Sequence, residues 1–214
     1  MTENEFIIDT KRHLPHKQLP DCVLFITWRL AFTLPDYVYQ KLSEQRKVHL
    51  NESKDLSRED ENAKTIDFRN AQFHFFDNWI DNYKDCQHDL SQEPYLSIVS
   101  DVLKYDNGKK YAISSYCIMP NHVHLVIKPL TKETGDLYTL PEIMETIKKV
   151  TAHKINKAIS REGRFWQQES YDRIIRDEAE YLKTCEYVIM NPVKAGLVQN
   201  REDWAGTYLC KELR

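Results

Sequence analysis

Apolar positions recur along the chain with two periods. "DCVLFITWRL" (21–30), "YAISSYCIM" (111–119) and "HVHLVIKP" (122–129) are short β-branched and aromatic runs, which predict strands; "YDRIIR" (171–176) predicts a shorter fourth. Elsewhere the spacing is helical. "LPDYVYQKLSEQRKVHL" opens at Pro35 and Asp36, and over 59–85 Ile66, Phe68, Phe73, Phe76, Trp79 and Ile80 recur at helical intervals. "PYLSIVSDVLKY" predicts a shorter helix, and "DNGKK" (106–110) a turn. Thr139 and Glu142 stand at capping-box spacing before "IMETIKKVTAHKINKAI". Asp177 and Glu180 repeat that spacing before "AEYLKTCEYVIM". That last helix is expected to end or bend at Asn191–Pro192, because a residue before proline resists helical torsions. Pro120–Asn121, between two strands, predicts a short loop rather than a tight turn.

The resulting order is strand, helices, strand, strand, helix, strand, helix. It predicts an α+β fold: a ferredoxin-like βαββαβ arrangement with an antiparallel sheet, an enlarged helical first crossover and an added C-terminal helix. The expectation is a single domain over 1–214, with the helical insertion at about 37–107.

Composition narrows the class. The chain has 214 residues and is 41% hydrophobic, enough for a sizeable core, and its 29% charged residues argue against a fibrous protein. No apolar run approaches the roughly 20 residues of a membrane span, and "MTENEFIIDTKRH" is not a secretory signal. The five cysteines (Cys22, Cys86, Cys117, Cys185 and Cys210) are scattered without a CxxC pair. That pattern points to reduced thiols in a cytoplasm and away from a zinc ribbon. Net charge is −3, but residues 148–176 are locally basic, with Lys148, Lys149, Lys154, Lys157, Arg161, Arg164, Arg173 and Arg176. Such a run is either a solvated face or a local surface for an anionic partner.

"PNHVHLVIKP" (120–129) carries the chemistry. In a strand, residues i and i+2 leave on one face, so His122 and His124 point together while Val123, Leu125 and Ile127 point into a core. Two neutral imidazoles can share one divalent cation and leave coordination positions open. An HxH pair alone is equally compatible with a structural role. On the last helix, projected at about 100° per residue, Ala179, Leu182, Cys185 and Ile189 form an apolar stripe. Tyr187 and Asn191 lie together on another side. Tyr187 is then either a nucleophile or a phenol capping some other surface. A phenol of ordinary pKa about 10 needs adjacent positive charge to attack. A metal is the stronger source of that charge, and Lys183, one turn earlier, the weaker.

Four blocks, "HLPHKQLPDCVLFITWRL", "YCIMPNHVHLVIKP", "FWQQESYDRIIRDEAEYL" and "YVIMNPVKAGLV", resemble those of the REP-associated tyrosine transposases. These belong to the single-tyrosine HUH (His–hydrophobic–His) transposase-like superfamily. The resemblance covers about residues 11–199, less clearly 37–107. It implies a sheet carrying the His pair, a C-terminal helix carrying the nucleophile, a Mg²⁺ or Mn²⁺ cofactor and a single-stranded DNA substrate folded into a hairpin. Position by position, His122 and His124 match the HUH pair and Tyr187 matches the catalytic tyrosine. Asn191 stands where related enzymes place a polar third metal ligand. Tyr171 and Tyr181 rank as rivals below Tyr187. The resemblance further implies a monomer rather than a dimer.

With a DNA substrate, the basic residues of 148–176 become candidates for hairpin phosphates. Trp166, with Phe165, is a candidate for stacking on unpaired bases, against the simpler reading of loop anchoring. Three functions compete: cleavage and rejoining through a 5′-phosphotyrosine on Tyr187; a domesticated hairpin-binding protein that no longer cuts; and a metal-dependent phosphodiesterase that uses water.

Overall fold

A computed structural model of the chain describes residues 22–32, 34–52, 58–83 and 86–213. The part of the first resemblance block before Cys22 lies outside them. The chain divides into two compact units, one containing Phe32–Lys84 and the other containing Asp85–Arg214 with the first strand.

The first unit is helical. Its helices are α1 (Asp36–Glu52) and α2 (Arg58–Asn82). His49 of α1 stacks on Phe68 of α2 with centroids 4.2 Å apart. Trp79 Nε1 donates to the Tyr37 hydroxyl at 2.6 Å.

The second unit holds a five-stranded sheet in the order β4-β1-β3-β2-β5, with every neighbouring pair antiparallel. Its elements are β1 (Val23–Arg29), α3 (Tyr95–Tyr105), β2 (Tyr111–Ile118), β3 (His122–Pro129), α4 (Leu140–Ala158), β4 (Tyr171–Ile175), α5 (Glu178–Lys194) and β5 (Thr207–Leu209). The α+β class and the β-α-β-β-α-β succession therefore stand, with α1 to α3 filling the first crossover. The edge strand β5 was not expected: "TYL" is too short to show a period. Gly206 lets it dock, since a Cβ there would lie 2.6 Å from the Ile118 carbonyl oxygen.

Each face of the sheet has its own cover. On the face of Trp28 and Leu125, Ser100 of α3 hydrogen-bonds the Tyr116 hydroxyl at 2.9 Å. Trp166 bridges Trp28 (6.1 Å between rings) and Thr151 of α4 (Nε1 to Oγ1, 2.8 Å). The opposite face, that of Thr27 and His124, receives α5. Among the described residues no helix is long and apolar enough to cross a membrane.

Several boundaries differ from expectation for identifiable reasons. The β2–β3 connection is tight: Met119 N–H donates to the His122 carbonyl at 2.9 Å across Pro120–Asn121. The Pro120 and Asn121 carbonyls accept from Leu90 and Leu30, so tertiary bonds hold a turn that lacks the usual residues. Pro192 does not end α5; the helix runs to Lys194. Its missing N–H forgoes one i→i−4 bond, the one to the Val188 carbonyl, and the helix still continues for two more residues. The stop comes from Gly196 at φ 68°. There Leu197 N–H donates to the Pro192 carbonyl (2.9 Å) and Gly196 N–H to the Val193 carbonyl (3.0 Å), a Schellman motif. The capping box at Thr139–Glu142 is complete. At Asp177 only the cap half forms, because the Glu180 carboxylate takes the Arg176 N–H instead.

Candidate active site

The geometry of β3 brings the two histidines together. His122 pairs with Arg29 and His124 with Thr27 across the β1 ladder, so both rings leave on the α5 face while Val123, Leu125 and Ile127 leave on the other. Both imidazoles are fully buried. Each has one nitrogen held by a neighbour: His122 Nδ1 lies 2.7 Å from Asn121 Oδ1, and His124 Nδ1 lies 2.7 Å from Thr27 Oγ1. A carboxamide oxygen only accepts, so the His122 proton is on Nδ1 and its Nε2 presents a lone pair. The two Nε2 atoms face each other at 2.9 Å. Lone pairs so placed repel unless a proton or a cation lies between them. The donor set therefore fits a divalent metal.

Electrostatics agree with that use. Burial pushes the His122 pKa down to about 3. Burial, then the charges of His122 and Lys194, hold His124 well below the ordinary imidazole range. Both rings are thus neutral at neutral pH, the form that binds a metal. Phe25 stacks on His124 with centroids 5.7 Å apart and 19° between planes, which fixes the ring's plane.

Helix α5 supplies the remaining groups. Asn191, 1% exposed, donates from its amide Nδ2 to His124 Nε2 at 2.9 Å. Either amide atom can be turned to that point, so Oδ1 is available to a cation bound there. One turn earlier, the half-buried Tyr187 ring sits edge-on to His124 (5.8 Å) and to Phe25 (6.2 Å). Among the rivals, Tyr171 packs edge-on against Phe25 from β4. Tyr181 is hydrogen-bonded to Ser114 and Cys185, and burial raises its pKa.

The expected apolar stripe of α5 is corrected. Leu182 is 48% exposed and Ala179 is exposed, while Thr184, Cys185, Val188, Ile189, Asn191 and Pro192 are buried. Apolar residue type misled the projection, because the face is selected by a sheet whose own surface carries hydroxyls and imidazoles. The positive charge at the phenol also differs from expectation. Lys183 is exposed one turn away, and it is the Lys194 ammonium that lies 4.3 Å from the Tyr187 ring centroid.

The basic residues separate into two groups. Arg173, on β4, lies on the histidine face: its guanidinium sits 5.3 Å from the Phe25 centroid, pairs with Glu180 and donates to Thr184 Oγ1 at 3.1 Å. Arg176 is exposed just past the strand. The α4 residues Lys148, Lys149, Lys154 and Lys157 belong to the layer over the other face. Lys148 is occupied by the carbonyls of Gln167, Gln168 and Glu169 at 3.1, 2.9 and 3.1 Å. Lys149, Lys154 and Lys157 are exposed. Arg161 donates to Asn156 and to the Arg164 carbonyl, and Arg164 to the Trp166 carbonyl. Trp166 is 4% and Phe165 3% exposed, so both anchor the loop and neither offers a free ring face for stacking on a base.

Four contributors escaped the sequence reading: Phe25, Thr27, Asn121 and Lys194. The only available signals were a lone hydroxyl inside the apolar run "VLFITW" and an amide next to the first histidine.

Residues 70–191, which include His122, His124, Tyr187 and Asn191, match the family model described as Transposase IS200 like. A Haemophilus influenzae protein provisionally named a REP-associated tyrosine transposase is 28% identical over 95 residues, 41% of this chain and 53% of that protein. The chain thus spans about half the length of that relative. The Escherichia coli K12 REP-associated tyrosine transposase is 23% identical over 130 residues, 58% of this chain and 69% of its own. A solved structure, a REP-associated tyrosine transposase bound to a REP hairpin, shares the fold. Its TM-score is 0.53 at 15% identity, covering 92% of this chain and 81% of that one.

Proposed function

The chain belongs to the IS200-like transposase family, and from that premise we propose that it cleaves and rejoins single-stranded DNA beside hairpins through a 5′-phosphotyrosine on Tyr187. The observation that carries the reading is one cluster: two Nε2 atoms 2.9 Å apart, the Asn191 amide 2.9 Å from one of them, and the Tyr187 ring 5.8 Å from the same imidazole. His122, His124 and Asn191 would hold Mg²⁺ or Mn²⁺. When bound, that ion supplies positive charge to a non-bridging oxygen of the scissile phosphate and to the departing 3′ oxygen.

The chain's own groups do the rest. Asn121 and Thr27 keep the two Nε2 lone pairs aimed at one point, as orienting partners of metal-binding imidazoles do. Burial keeps both rings unprotonated. The Tyr187 oxygen attacks phosphorus and gives up its proton, the bond from phosphorus to the 3′ oxygen breaks, and a free 3′-hydroxyl leaves. The covalent link conserves the phosphodiester energy, so a second 3′-hydroxyl reverses the step and joins a new strand. Hairpin single-stranded DNA is the proposed partner, consistent with the name of the hairpin-bound structural relative, and a monomer is the proposed working form.

The test is a denaturing gel of labelled hairpin oligonucleotides incubated with the protein and Mn²⁺. The expected result is a labelled protein band that Tyr187→Phe abolishes. Cleavage without an adduct would favour water as nucleophile. A native-gel shift without cleavage would favour a domesticated hairpin-binding protein.

A further inference from the structure

One face of α5 carries three functional groups in succession: the Tyr187 phenol, the Asn191 amide four residues on, and the Lys194 ammonium three further. The Schellman stop at Gly196 places Lys194 in the last helical residue, so its Cα is fixed by hydrogen bonds at Pro192 and Val193. Its ammonium lies 4.3 Å from the Tyr187 ring centroid, and its side chain is exposed. Its charge is also felt at His124.

Among the other cations on this side of the sheet, the one on β4 is neutralised. Arg173 is committed to Glu180 and Thr184. Among the described residues Lys194 makes no ion pair. A lysine at a helix C-terminus commonly serves the helix dipole, which needs only a charge near the last turn. It does not need that charge over the ring of one particular tyrosine, beside a buried pair of neutral imidazoles.

We infer that Lys194 is the protein's own contact to the substrate phosphate next to Tyr187: an exposed ammonium that binds a non-bridging oxygen of a phosphodiester and holds it against the phenol. The inference rests on the reading that Tyr187 works on single-stranded DNA. It adds the group that would bind that phosphate whether or not a metal is loaded. Lysine suits the task as a mobile point charge, where a planar guanidinium would be held in a fork.

The test pairs the side chain with the phosphate it would touch. A hairpin oligonucleotide is selected on the immobilised wild-type protein from a library with randomised single-stranded flanks. Each phosphate in turn is then replaced by an uncharged methylphosphonate. Binding is measured in EDTA, so that no cleavage occurs, for wild type, Lys194→Met and Lys194→Arg. Wild type is expected to lose about tenfold in affinity at one flank position, as for a lost hydrogen bond to a charged group. Lys194→Met should bind the unmodified strand about tenfold more weakly and show no further penalty at that position. Lys194→Arg should restore most of the penalty, and the melting temperatures should stay close together. If Lys194→Met keeps every penalty that wild type shows, or if no hairpin is selected, the inference is overturned. A parallel incubation of wild type with Mn²⁺ separates the two readings: binding without an adduct removes the proposed reaction, while the phosphate scan still decides Lys194.

Discussion

On one side of β3, Val123, Leu125 and Ile127 are buried in a layer that also contains Leu24, Ile26 and Trp28 of β1. On the other, His122 and His124 are equally buried, but each nitrogen of each ring faces a named polar atom. The two sides share a strand, a register and complete exclusion of water. They differ in what a substitution removes. The apolar side is held by area and close packing, so its energy is spread over many contacts. The imidazole side depends on direction, and taking away one partner leaves a buried polar group unsatisfied. A strand that stabilises the fold with one set of residues can thus keep the alternate set for chemistry.

That comparison predicts a graded series. The largest effect is expected at the proposed ligands: His122→Ala or His124→Ala should abolish Mn²⁺ binding measured by titration calorimetry while the protein still folds. Retained Mn²⁺ affinity in either variant would break the assignment. Next, Leu125→Ala should cost about 2–5 kcal/mol of stability in a denaturant melt, with Mn²⁺ affinity of the folded protein unchanged. Should affinity fall with stability, the two sides are not separable. Thr27→Val and Asn121→Ala should each weaken Mn²⁺ binding by about 10–100-fold through loss of ring orientation. The most gradual effect is with pH. His122 has its pKa pushed down to about 3, and His124 is lowered too, so the folded chain keeps them neutral. Below about 6.5 the unfolded chain takes up protons that the folded chain refuses. In EDTA, stability should be fully present above that pH and fall by about 1 kcal/mol per pH unit per histidine below it, down to about pH 3 for His122. His122→Gln should flatten the slope; an unchanged slope would contradict the burial account.

Much of this was readable in the sequence, and the failures share a cause. The alternation in "HVHLVI" placed the histidines on one face because strand period is a local property. The Thr139–Glu142 cap and the Tyr187–Asn191 pair were readable for the same reason, since each depends on residues within one turn. Thr27, Phe25 and Lys194 were not readable: they act through register and through α5 docking, and neither leaves a mark on neighbouring residues. Pro192 looked like a helix stop because proline is judged by what it removes, whereas Gly196 sets the true end. Trp166 looked available because it lies in a polar loop, yet its bond to Thr151 buries it. Leu182 is apolar yet exposed, because α5 turns Thr184, Cys185 and Val188 to the sheet and residue type alone does not select that side.

The central claim is that His122, His124 and Tyr187 form one reaction centre. It is tested most directly by mass-spectrometric mapping of the protein–DNA link after incubation with a selected hairpin and Mn²⁺. The account predicts a single modified peptide carrying a 5′-nucleotide on Tyr187, absent in EDTA and absent in His124→Ala. A nucleotide on Tyr171 or Tyr181, or an adduct on Tyr187 that persists without metal and without His124, would contradict it.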